Sequence, residues 1–157
     1  MGDKELTVDD AKLDQLIDTA RSQRPGATIY LLPREDGQYS DHSTDVIALL
    51  EEAGVSVDYA TDPMAGGVFG LKSADLVLPP LLILVSDAAT LAGAISGVVG
   101  LIRWFTRDSG GRRSVSVEVT IQRDAGGSSR RTVSIAGASA DEAERLLKQA
   151  GSLRPPK

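Results

Sequence analysis

The chain has 157 residues, a length suited to one domain with a substantial core. Hydrophobic residues make up 41% and charged residues 25%, the balance of a folded chain, and the formal net charge of -5 argues against a dedicated nucleic-acid binder. Cysteine is absent, which excludes disulfides, thiolate zinc sites and cysteine nucleophiles and fits a reducing cytoplasm.

Met1 to Ala11 is acidic and polar and does not resemble a signal peptide. Thr7 with Asp10 forms a capping-box-like start, and Leu13, Leu16, Ile17 and Ala20 recur at helical spacing up to Pro25-Gly26. Residues 1–24 are therefore expected to be an N-terminal helical extension. Residues 25–151 would form a single α+β domain and 152–157 a tail. Ala27 to Leu32 predicts a short buried strand closed by Pro33, and Arg34 to His42 a polar loop. Ser43 is placed to cap a helix with apolar positions at Val46, Ile47, Leu49, Leu50 and Ala53, ending at Gly54. Val55, Val57 and Tyr59 alternate as a second strand, so the segment predicts a βαβ unit with parallel strands.

Thr61 to Ser73 is a glycine-containing connector leading into an apolar stretch, Leu76 to Phe105, whose only charges before Phe105 are Asp87 and Arg103. Pro79-Pro80 and the Ser86-Asp87 cap divide it. Two helical pieces are expected, one before Ser86 and one from Asp87 to about Thr106. In the second piece Leu91, Ile95, Val98, Ile102 and Phe105 form one apolar face. Gly93, Gly97, Gly100 and Trp104 fall on roughly the opposite face. Each glycine costs a helix interior about 1 kcal/mol relative to alanine, so a row of them implies close approach by another element. These four residues are the candidate partner-binding set. On this reading Gly97→Leu abolishes association and leaves the fold intact. The preceding helix of the same fold and lipid are the alternative occupants, but Asp87 near the middle of 76–105 and the prolines near its start suit core elements better than a span.

The last third alternates clearly. Val115, Val117, Val119 and Ile121 face one way, and Ser116, Glu118, Thr120 and Gln122 the other, which predicts a half-buried strand with a wet outer face. A glycine turn over 123–129 leads to a partner strand with Val133 and Ile135. Ser139 to Glu142 is a capping box for a terminal helix carrying Ala143, Leu146, Leu147 and Ala150. Arg112, Arg113, Arg130 and Arg131 are expected to gather at one end of this hairpin as a solvated turn face.

Catalytic equipment is sparse. The one histidine, His42, lies in the polar loop beside Asp41, and Glu35, Asp36, Asp41 and Asp45 lack calcium-loop spacing. Gly66 to Ser73 approaches a phosphate loop, but Leu71 separates Gly70 from Lys72 and the glycine spacing is one residue short. No G-x-S-x-G elbow occurs. No catalytic, cofactor-binding or metal-ligating residue is assigned, and the chain is read as a non-enzyme without cofactors. A small-ligand sensor using loops 33–43 and 61–73 is kept as a rival.

The order of elements, with Leu81 to Val85, Leu91-Ala92-Gly93 through Arg103-Trp104-Phe105, Ser114 to Val119, and Asp141 to Leu147, resembles the bacterial effector-associated constant component family. The likeness spans roughly Ala27 to Gly151. It implies a small non-enzymatic adaptor of prokaryotic conflict systems that couples an effector to its activator, with an effector protein or a second copy as partner. The expected fold is α+β, a small mixed sheet of about four strands over 27–32, 55–60, 114–122 and 130–136. Its helices would lie mainly on one face, with a ferredoxin-like order as the first topology. The expected location is cytoplasmic, with membrane association as the alternative.

Overall fold

The computed structural model describes residues 10–33, 39–40, 43–61, 68–69, 76–107, 114–123 and 129–152. In chain order these form α1 (Asp10–Gln23), β1 (Ile29–Leu31), β2 (Tyr39–Ser40), α2 (Ser43–Glu52), β3 (Val57–Tyr59), β4 (Val68–Phe69), β5 (Leu76–Val77), β6 (Leu81–Val85), α3 (Ala88–Thr106), β7 (Val115–Arg123), β8 (Ser129–Ala138) and α4 (Ala140–Ser152). The fold is α+β, a mixed sheet with helices packed mainly on one face.

The central strand is the main departure from expectation. Residues 76–85 are not a helix. β5 and β6 both pair parallel to β7, Leu76 opposite Val115 and Leu81 opposite Val119, so they are two halves of one line. Five steps along this line, from Leu76 to Leu81, match four along β7, from Val115 to Val119. The extra residue is absorbed at Leu78-Pro79-Pro80, where the Leu78 N–H donates to the Ser116 carbonyl (2.9 Å). Prolines have no N–H to give a ladder and are tolerated at such a bulge. The Pro80 carbonyl accepts from Leu32 N–H (2.9 Å) and ties the bulge to the end of β1. Leu81, Leu82 and Ile83 are all fully buried. A strand covered on both faces has no alternation to distinguish it from a buried helix.

With β5 and β6 counted as one line, the sheet has five strands rather than four, in the order β3-β1-β6-β7-β8. β1 and β3 are parallel neighbours, as the βαβ pattern predicts. β6 runs antiparallel to β1, and β7 runs parallel to β6. The order is not ferredoxin-like. That arrangement uses split βαβ units, whereas here each crossover helix, α2 or α3, links strands that lie side by side.

Side-chain alternation sends Ile29, Leu31, Leu81, Ile83, Val85, Val117, Val119 and Ile121 into a core shared with α2, α3 and α4. Tyr30, Leu32 and Leu82 point to the other face, where Leu13, Leu16, Ile17 and Ala20 of α1 cover them. The second face of β7 and β8 is polar but drier than expected, since Thr120 and Gln122 are buried. Thr120 pairs with Thr132 (3.1 Å), and Arg130 donates to Gln122 (2.9 Å) while bridging to Asp14 of α1. Of the expected arginine cluster, the structure describes only Arg130 and Arg131. Arg130 and Arg131 sit opposite Gln122 and Ile121, at the far end of β7 from Ser114, and Arg112 and Arg113 lie outside the described residues.

Candidate interaction surface on helix α3

Helix α3 follows β6 after a two-residue turn. Asp87 adopts an extended backbone conformation as its N-cap, and its Oδ1 accepts from the Thr90 N–H (2.7 Å). That bond holds the Asp87 carboxyl below its usual range. The inward stripe is as the periodicity predicts: Leu91, Ile95, Val98 and Ile102 are buried, and Phe105 packs against the same core partly exposed. At the far end Thr106 Oγ1 donates to the Ile102 carbonyl (2.9 Å).

The four candidate residues do not share one accessible surface. Gly97 is buried, and a Cβ there would lie 2.9 Å from Val55 Cγ2 and 3.3 Å from Leu50 Cδ2. This glycine lets Leu50 of α2 and Val55 of the turn that follows it press against α3 within the fold. It is not open to a partner, and the expectation that Gly97→Leu spares the fold is overturned. Gly93 and Gly100 are exposed, with nothing within 4 Å of a would-be Cβ. Trp104 is 41% exposed, the one large hydrophobic side chain so placed among the described residues. Its ring stands edge-on to Phe105 (centroids 5.2 Å apart), and the Arg107 guanidinium lies 4.7 Å from the ring centroid.

The outer face of α3 is therefore built from Ala89, Ala92, Gly93, Ser96 and Gly100, ending at Trp104. Solvated helix faces ordinarily carry charged and long polar side chains. Here no charge occurs from Ala88 to Ile102. Charge is confined to the two ends, Asp87 at one and Arg103 and Arg107 at the other. Arg103 donates through Nε to Glu144 Oε1 (2.8 Å) and through Nη2 to Asp141 Oδ1 (2.8 Å), and Lys148 bridges to the same Glu144 (2.8 Å). Lys148 first, and then Arg103, hold the Glu144 carboxyl below its usual value. This network joins the C-terminal end of α3 to the first turns of α4.

Other sequence candidates give little. His42, Asp41, Glu35 and Asp36 lie outside the described residues, as does Gly66 to Ser73 except for Val68-Phe69, which pairs with β2. Asp45 is exposed in the first turn of α2. Among the described residues no group of three or more histidine, cysteine, aspartate or glutamate side chains is arranged to hold a metal. A shallow cleft of about 260 Å³ beside Arg21, Tyr30 and Ser86 brings no acid or base to face another.

Two features escaped the sequence reading. Tyr39, inside a polar run, is buried and stacks edge-on with Tyr59 (4.8 Å). Its hydroxyl lies 2.9 Å from Thr61 Oγ1 and accepts from the Thr61 N–H (3.0 Å). Burial raises its phenol above the usual value, while the Thr61 bonds pull the other way. A lone aromatic in a polar loop was the available signal. Ser43, expected as a cap, is instead the first residue of α2, and its buried Oγ has no hydrogen-bond partner among the described residues. Compared with known protein families, with curated proteins and with solved structures, the chain finds no match in any of the three.

Proposed function

We propose that the protein is a non-enzymatic adaptor that couples an effector to its activator in a bacterial conflict or defence system, acting in the cytoplasm. The class of partner comes from the family resemblance. What supports an adaptor role is the outer face of α3, with Trp104 exposed at the end of an uncharged face of small residues. Exposed aromatic side chains are typical anchors of protein interfaces, and small residues let a partner backbone approach closely. The contact set is Gly93, Gly100 and Trp104, without Gly97.

The test is co-purification with the products of adjacent genes. Trp104→Glu and Gly100→Lys are expected to abolish a complex that Lys12→Ala, on α1, leaves intact. Retention of the complex by both α3 variants counts against the reading, as does a turnover that disappears when one acidic side chain is removed.

A membrane-associated reading draws on α3 being long and apolar enough to cross a bilayer by length and composition. Nine of its 19 residues, however, are buried in the protein core. Flotation with lipid vesicles separates the two readings, since the adaptor stays with the soluble fraction.

A further inference from the structure

We infer that the outer face of α3 seats a second copy of this chain, helix against helix and antiparallel. The inference rests on the reading of α3 as a contact surface and adds the occupant and its geometry.

One face of α3 carries both a projection and a hollow. The projection is the half-exposed Trp104, and the hollow is the exposed run of Ala89, Ala92 and Gly93, where no side chain rises above a methyl group. They lie about three turns apart, roughly 16 Å along the helix from Gly93 to Trp104. A face bearing both halves of a fit is self-complementary. Two copies related by a two-fold axis near Ser96 place each Trp104 over the other copy's Ala89 and Gly93, and bring Gly100 opposite Gly93. Parallel pairing would set the two indoles against each other and leave both hollows empty.

Charge points the same way. The N-terminal end of α3 bears Asp87, and the C-terminal end bears Arg103 and Arg107. Arg103 is already held by Asp141 and Glu144 of α4, so the attraction across the antiparallel pair is that of Arg107 for the other copy's Asp87, added to the favourable opposition of the helix dipoles. A lipid surface fits less well. Interfacial helices present bulky apolar side chains above a basic face, whereas this face offers glycine and alanine on a chain of net charge -5. A standard interface takes about 800 Å² from each partner, more than one helix face provides. The dimer is accordingly concentration-dependent.

The chain contains no cysteine, so single cysteines report the geometry directly. Ser96→Cys, beside the axis, is expected to form a disulfide-linked dimer under mild oxidation. Ala89→Cys alone should not, because its copies lie about 22 Å apart along the antiparallel pair, far beyond the roughly 7 Å limit between Cα atoms. Gly93→Cys mixed with Gly100→Cys should yield the mixed dimer in preference to either homodimer. Sedimentation of the unmodified chain should show a monomer–dimer equilibrium that Trp104→Glu shifts at least tenfold toward monomer.

A single monomeric species up to ~1 mM overturns the inference. So does Ala89→Cys linking as readily as Ser96→Cys, and so does association only in the presence of lipid vesicles. A monomer whose complex with an adjacent-gene product is still lost in Trp104→Glu overturns the dimer and leaves the adaptor reading standing. A dimer with no such partner does the reverse.

Discussion

The three glycines of α3 divide by what surrounds them. At Gly93 and Gly100 a methyl group meets open space, so Gly→Ala gains the helix propensity that glycine forfeits. Each substitution is expected to raise stability by about 1 kcal/mol in urea titrations of dilute protein. At Gly97 the same methyl meets Val55 Cγ2 at 2.9 Å. Overpacking costs of about 1–3 kcal/mol then offset or exceed the propensity gain, so Gly97→Ala is neutral to destabilising. Gly97→Leu, with three more carbons to place, loses the folded state. Equal stabilisation at all three positions would contradict the close approach of α2. Spacing put the glycines on one side of a helix. It could not say which of them another element of the same fold would occupy, because that depends on where α2 ends in space.

Among the elements, those with a strong period were legible in the sequence. α2, α3, β7, β8 and α4 lie within a few residues of their expected bounds, since each repeats its apolar residues at a clear helical or strand period. The Ser139 cap also forms as its pattern predicts, with Ser139 Oγ accepting from the Glu142 N–H (3.2 Å). Where both faces are buried the period vanishes, and the sequence predicts a helix over β5–β6 for that reason. Its prolines read as helix breakers, yet they serve a bulge. The α3–α4 contact carries a pH signature at this scale. Glu144 titrates below its ordinary 4.5 in the folded protein because Lys148 and Arg103 favour its charged form. The folded state therefore binds fewer protons than the unfolded chain. The stabilisation is complete at neutral pH and fades as pH falls through the lowered folded value. Glu144→Gln should accordingly be less stable than the parent at pH 7, and the difference should shrink on acidification. Salt should shrink it as well, because the network is largely exposed. A difference independent of both pH and salt would assign the loss to packing.

At the scale of the molecule, two βαβ units meet antiparallel along β1 and β6, and this seam is covered on both sides. Ile29, Leu31, Leu81 and Ile83 face the layer of α2, α3 and α4, and Tyr30, Leu32 and Leu82 face α1. From the sequence α1 reads as an extension of a domain beginning near residue 25, because a helix joined by Pro25-Gly26 carries no mark of where it docks. Packed on the central strands, it shares its core with them. Ile17 is 3% exposed against that face, so Ile17→Ala should cost about 2–4 kcal/mol. The loss should appear as a shift of one cooperative transition, with far-ultraviolet dichroism and tyrosine fluorescence moving together, because Tyr30 lies in the same cluster. Removing residues 1–24 altogether would uncover Tyr30, Leu32 and Leu82 as one apolar patch, and the truncated chain is expected to aggregate at concentrations where the parent remains dispersed. If α1 instead melted first, leaving a soluble remainder with the parent's main transition, the second core would be a mere attachment. The sheet would then have to draw its stability from the α2–α3–α4 face alone.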